Sequence, residues 1–274
     1  MTPTKAYPPV WFCIYCGSTD APLSKEHILA YGLGGILVLP RASCEKCAAK
    51  PKSFEETVLR RMFGPYRIRL DMPTRHPKQR PEKLPFQLVK RDGSVSVVNV
   101  DAGEHPGSIV FPVYPEPGIL VGRENNASFQ IGLCSTTFDF PRVKALTETH
   151  GGEGFSFGVA DFNAMARLLA KTAYAYCFAE FGGRIGEFGG IRAGYYPLVL
   201  DLIAGDPDYC PTRCVGCVPG DPVAEPEPGV AHMMTVSDVT ASNGNNYLIV
   251  DIRLFAILPS PVYRVAVAER RVVL

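Results

Sequence analysis

The stretch that decides the fold runs from Cys13 to Cys47 and reads CIYCGSTDAPLSKEHILAYGLGGILVLPRASCEKC. Its cysteines fall in two tight pairs, Cys13/Cys16 and Cys44/Cys47, with the spacing C-x2-C-x27-C-x2-C. Each C-x-x-C makes a small knuckle that aims two thiolates at one point, and two knuckles complete a closed tetrahedral Zn2+ site. With no position left open, such a metal is structural, and in a small unit it supplies much of the folding free energy. A redox pair or unconnected buried cysteines is the weaker reading, because two pairs of the same spacing lie close together and no secretion signal precedes them. The 27-residue gap leaves room for a β-hairpin, and Gly32-Leu33-Gly34-Gly35 reads as its turn.

Outward from this unit, Pro8 and Pro9 make residues 1–12 an extended lead-in. Downstream, Ser53 to Phe63 reads as a helix. Ser53-Phe54-Glu55-Glu56 has the pattern of a capping box, and Val58, Leu59 and Met62 recur at helical spacing.

Inside the gap, Leu23-Ser24-Lys25-Glu26-His27-Ile28-Leu29 is followed by the glycine turn and then by Leu37-Val38-Leu39-Pro40-Arg41-Ala42-Ser43-Cys44. This order resembles the HNH endonuclease family (ββα-metal fold), in its subgroup with two CxxC zinc knuckles. The resemblance covers about Cys13 to Phe63. It implies a metal-dependent nuclease that hydrolyses phosphodiester bonds in DNA, with His27 as general base and Glu26 as ligand to a catalytic Mg2+ or Mn2+ distinct from the structural zinc. The chemistry suits that assignment. A neutral imidazole near its ordinary pKa can deprotonate water, and a carboxylate can hold a divalent ion at the scissile phosphate. Adjacent residues on a strand point to opposite faces, so Glu26 and His27 reach one phosphate only from a strand end or a bulge.

The sequence departs from that family at two places. Ala48 stands where an Asn or His usually follows the last knuckle cysteine and binds the catalytic metal, and no Asn precedes Cys44 to steady the base. Two readings compete. Glu55 replaces the missing ligand, although Pro51 argues against one unbroken helix from Ala48 to Glu55. Alternatively, the unit is catalytically degenerate and binds nucleic acid or a protein partner without cleaving.

The charge distribution points to a polyanionic partner. The net charge is +1, but residues 1–92 carry 16 Lys+Arg against 8 Asp+Glu, or +8, while the remainder is −7. Lys50, Lys52, Arg60, Arg61, Arg67 and Arg69 follow the last knuckle and are candidate phosphate contacts; Arg75, Lys78 and Arg80 continue the run. Nucleic acid, DNA above all, is the expected partner.

The rest of the chain supplies architecture. Residues 64–92 are rich in Pro and Arg and read as an irregular connector. Ser94–Val100, Ile109–Val113 and Ser128–Leu133 read as strands. Asp161 to Phe181 is the strongest helix, capped by Asp161 and stopped at Gly182-Gly183. Residues 218–229 form a Pro-rich acidic loop, and Tyr247–Leu258 and Val262–Val267 read as two joined strands. Cys210, Cys214 and Cys217, with His232, make either a second metal site or a loop of free or locally bonded cysteines. Asp201, Asp206, Asp208, Asp221 and Asp238 follow no metal-loop spacing, and His105, His150 and His232 are isolated. The expected fold is α+β: a zinc-stabilised ββα unit over residues 1–70, a connector over 71–92, and a larger α+β domain over 93–274 with an antiparallel sheet and a central helix. No apolar run reaches membrane-spanning length, and a cytoplasmic setting is expected.

Overall fold

A computed structural model describes residues 5–123, 131–158, 160–181, 195–220 and 222–270. Its N-terminal sheet is built from β1 (Lys5–Ala6), β2 (Leu23–His27) and β3 (Leu37–Cys44), in the order β1-β3-β2. β2 and β3 are antiparallel; β1 runs parallel to β3. The glycine run turns the hairpin, as expected: Gly34 takes φ +80°, and a Cβ on Gly35 would lie 2.0 Å from the Leu29 carbonyl oxygen. The β2–β3 register jumps from Ser24↔Ser43 to Glu26↔Leu39, so Pro40, Arg41 and Ala42 bulge out, with Arg41 at φ 49°. The first-knuckle segment satisfies the bulge carbonyls. Val10, Trp11 and Ile14 donate their amides to Pro40, Arg41 and Ala42 at 3.0, 3.0 and 2.9 Å.

Helix α1 (Glu45–Glu56) starts at once after Cys44 and runs through Pro51. The start expected at Ser53 is therefore corrected. Ser53 caps nothing; its hydroxyl donates back to the Lys50 carbonyl, a helix-interior bond. A π-helical turn, Thr57–Met62, follows, with the Phe63 amide reaching back five residues to Val58 at 2.8 Å. Helix α2 (Gly64–Arg69) completes the run.

Next come β4 (Lys83–Val89), β5 (Val95–Asp101), β6 (Ile109–Val113), β7 (Gly132–Thr136), helix α3 (Phe140–Thr149) and β8 (Gly154–Ser156). They form a three-stranded sheet, β5-β4-β8, and a two-stranded ribbon, β6-β7. Lys83–Val89 falls within the expected connector, which is thus not irregular throughout. Leu84, Phe86 and Leu88 alternate as buried residues, and Phe86 and Leu88 pack with Val100 and Val143, while Pro85 faces out. Of the strand expected at Ser128–Leu133, only its end matches, and positions 128–130 lie outside the described residues, as do Gly182, Gly183 and Asp221.

Helix α4 (Phe162–Phe181) is the central element, and Asp161 caps it by accepting from the Ala164 amide at 2.9 Å. β9 (Tyr195–Pro197), helix α5 (Leu200–Ala204), β10 (Val215–Cys217), β11 (His232–Thr240), β12 (Asn246–Leu254) and β13 (Val262–Arg270) complete the chain. The final sheet is antiparallel, ordered β10-β13-β12-β11, with β9 also on β13. α4 packs against β12 and β13 and also against α1. One apolar core runs through Ile28 and Leu39 of the hairpin, Phe54 of α1, Leu168 of α4, and Ile249 and Val265 of the sheet. The α+β class with antiparallel sheets and a central helix is as expected, but the hairpin shares its core with the larger part. Among the described residues no helix is long and apolar enough to cross a membrane.

Candidate metal centre and the Glu26–Lys171–Glu55 cluster

The two knuckles converge. The Sγ atoms of Cys13, Cys16, Cys44 and Cys47 all lie within 4.8 Å of one another. Cys16 Sγ and Cys44 Sγ are 3.8 Å apart. A Zn–S bond of about 2.3 Å puts tetrahedral sulfurs about 3.8 Å apart, so the cluster fits a metal such as zinc. The first knuckle closes through Gly17 (φ 76°), whose amide donates to the Cys13 carbonyl at 2.8 Å. The second opens α1. There the Cys47 amide donates to the Cys44 sulfur and, against burial, pulls that thiol down to about 7, which readies it as a thiolate ligand.

Glu26 and His27 close β2 beside the bulge, the strand-end placement that their shared reach requires. What faces them comes from the other part of the chain. Lys171 on α4, almost fully buried, places its Nζ 2.7 Å from Glu26 Oε1 and 3.2 Å from Glu55 Oε1, with side-chain exposures of 2%, 8% and 24% for the three residues. The same ammonium donates to the His27 carbonyl. An ammonium has three donors, and here each finds an acceptor. Burial alone would depress Lys171, but Glu26 and then Glu55 outweigh it, and its pKa stands above the ordinary lysine value.

Glu55, the proposed substitute for the ligand missing at Ala48, does therefore meet Glu26 around a single cation. That cation is the protein's own. Among the described residues the four cysteines are the one gathered set of three or more potential metal ligands; His27, Glu26 and Glu55 do not form a second. The His27 imidazole is held neutral, pushed down to about 4 by burial first and then by Lys25, Lys171 and Arg75. Its Nδ1 is buried without a hydrogen-bond partner among the described residues, and its ring lies 5.9 Å from that of Tyr31. The Tyr15 hydroxyl is buried and unpartnered as well, and burial, Glu26 and Glu55 together keep it protonated.

The candidate phosphate contacts divide. Lys50, Lys52, Arg61 and Arg69 are exposed. Arg60 is exposed and pairs with Glu56 at 2.9 Å, a one-turn surface pair of small worth. Arg67 is corrected to a structural role. Its guanidinium donates to the Gly32, Leu59 and Pro73 carbonyls at 2.6, 2.8 and 3.1 Å, tying α2 to the hairpin turn. Its close approach needs the bare backbone of Gly32, where a Cβ would meet Arg67 Nη2 at 2.7 Å.

The second cysteine group is not gathered with His232. Cys214 Sγ sits 2.9 Å from the Tyr209 hydroxyl, and Cys210 Sγ pairs with Thr212 at 3.3 Å. The His232 ring is spent on backbone. Nδ1 accepts from the Phe255 amide at 3.2 Å, which leaves Nε2–H to donate to the Leu33 carbonyl at 2.7 Å. His232 thus fastens β11 to the hairpin turn. Lys171 was the residue that sequence reasoning missed. Its one signal is a lone lysine inside the apolar helix run Leu168-Leu169-Ala170-Lys171-Thr172-Ala173. No family model matches the chain, and no curated protein or solved structure matches it.

Proposed function

We propose that this protein is a zinc-stabilised nucleic-acid-binding protein whose HNH-like hairpin is kept as a platform and does not cleave. The observation that carries the reading is the Lys171 ammonium between Glu26 and Glu55. Those two carboxylates would have to hold the divalent ion. A divalent ion ~4 Å from a fixed ammonium is repelled by on the order of 8 kcal/mol at an effective dielectric of ~20. The ammonium thus offsets part of the attraction that Glu26 and Glu55 would offer such an ion, and, buried on α4, it already holds the carboxylate oxygens that the ion would need. The buried His27 Nδ1, with no hydrogen-bond partner among the described residues to steady it as a base, agrees. Binding is supported by the +8 charge of residues 1–92 and by the exposed Lys50, Lys52, Arg61 and Arg69, which suit phosphate contact without base readout.

One observation favours a second reading, a metal-dependent DNA endonuclease: Glu55 and Glu26 do converge beside His27. The two are separated by incubating the zinc-loaded protein and its His27→Ala variant with supercoiled plasmid and single-stranded DNA in Mg2+, Mn2+ or EDTA. Salt-dependent binding with no cleavage in any metal supports the platform. Cleavage that EDTA and His27→Ala both abolish refutes it and establishes the endonuclease.

A further inference from the structure

A cavity of about 660 Å3 lies between the π-helical turn, α2 and the segment leading into β4. That is the size range of small-molecule sites. Its floor is aliphatic: Leu59, Ile68, Met72 and Leu84. Its rim is cationic and exposed, with Arg61 and Lys83 joined by His76 and by Arg60, which also pairs with Glu56 at the surface. Two further guanidiniums form the wall but are already spent, Arg67 on three carbonyls and Arg80 on Asp71 and the Met72 carbonyl. Among the described residues no carboxylate lines the cavity. The positive charges are close enough to oppose one another: Arg67 is pushed down to about 10, by burial first and then by Arg80 and Arg60.

A concave site with an apolar floor, a cationic rim and no lining acid calls for a ligand that is apolar at one end and anionic at the other. We propose that this cavity binds a nucleoside phosphate, its base buried on the Leu59–Ile68–Met72–Leu84 floor and its phosphate at the Arg60–Arg61–Lys83 rim. The base is held by burial, because among the described residues no Phe, Tyr or Trp lines the cavity for stacking. Leu59, Arg60 and Arg61 all come from the π-helical turn, and such turns are frequent at functional sites. The ligand is either a free nucleotide or one nucleotide of a single strand. In the second case the proposal deepens the nucleic-acid reading and rests on it.

The test is titration calorimetry on the zinc-loaded full chain with three probes: ADP, inorganic phosphate and a ten-residue oligothymidylate. The same titrations are run on an Arg61→Glu/Lys83→Glu variant, whose changes sit on the surface, and on Ile68→Trp, which fills the floor. Saturable ADP binding is expected, with phosphate about tenfold weaker or more, and a loss of about tenfold or more in each variant. Competition between ADP and the oligonucleotide on the parent chain tells the two sources apart without any variant. ADP binding without oligonucleotide binding upholds the cavity and sinks the nucleic-acid reading. Oligonucleotide binding that ADP does not compete, with no ADP binding of its own, upholds that reading and overturns the cavity proposal. It is also overturned if phosphate binds as tightly as ADP, or if ADP binds both variants as tightly as the parent.

Discussion

Replacing Lys171 by Met keeps the length and the apolar stem of the side chain and deletes only the ammonium. What remains is Glu26 at 8% side-chain exposure and Glu55 at 24%, facing each other with no cation between them. Breaking a buried ion pair by removing one partner costs about 3–5 kcal/mol, because the surviving charge is stranded away from water. The His27 carbonyl loses its charged donor as well. For a chain of this size each kcal/mol moves Tm by about 2–4 °C, so a fall of about 6–20 °C is expected. The stranded carboxylates can escape only by taking up a proton, and that route opens as pH falls. The deficit should therefore be largest at pH 7–8 and shrink towards pH 5. The Lys171→Met/Glu26→Gln double variant should recover part of the loss, with a coupling of about 1–3 kcal/mol. Thermal and urea unfolding of the four proteins of this cycle, each zinc-loaded, measures all of this. A Lys171→Met variant within 1 kcal/mol of the parent, or a double variant no better than the single, would show that the ammonium is not what holds the two carboxylates.

Three further outcomes follow from the same contacts. One metal ion per chain should be found by elemental analysis, and Cys47→Ala should lose it and expose the hairpin to proteolysis, since the four-cysteine cluster closes that unit. Gly35→Ala should cost more than about 2 kcal/mol in urea unfolding, because its Cβ has the Leu29 carbonyl oxygen 2.0 Å away and neither can yield without opening the turn. Folded His27 and His105 both stand at about 4, below the ordinary histidine value, so the unfolded chain binds protons that the folded chain refuses. Stability should be steady above pH ~6.5 and fall as pH drops from there towards 4, and His27→Gln should flatten part of that fall in pH-dependent unfolding.

The local chemistry of the hairpin was legible in the sequence because each of its devices is short-range. Two C-x-x-C pairs, a glycine run and a Glu-His beside it can be read within thirty-five letters, and the structure gathers the cysteines and turns the chain where those letters say. Asp161 was legible for the same reason. The failures have particular causes. Pro51 and the Ser53-to-Glu56 pattern both mimic a helix start, yet the second knuckle had already begun α1, and the helix tolerates Pro51 in its interior. Pro81 and Pro85 hid β4, although its leucines and phenylalanine alternate, because Pro85 points away from the small core that the strand covers. Arg67 has the same letters before and after it as any surface arginine. Only the fold shows that three backbone carbonyls have claimed it.

Lys171 belongs to a different class of failure, and it changes what the four-cysteine hairpin is. A unit that carried its own catalytic metal would need nothing from residue 171. Here the carboxylate that the hairpin buries, Glu26, is neutralised by an ammonium on α4, and the hairpin carbonyls of Ile14, His27 and Leu33 are met by Tyr174, Lys171 and His232. Each of these bonds crosses from the first seventy residues to the last hundred and ten, and each ends on a backbone atom or on Glu26. The sequence carries no sign of them beyond three ordinary polar letters on apolar elements. The apolar surface follows the same line, since Ile28, Leu39 and Phe54 finish their packing on α4 and the final sheet. Cutting the chain near residue 70 would thus expose that surface and strand Glu26 together. The four-cysteine cluster closes the hairpin, but α4 completes it, so the hairpin's folding and the pairing of Glu26 and Glu55 around one ammonium have one cause.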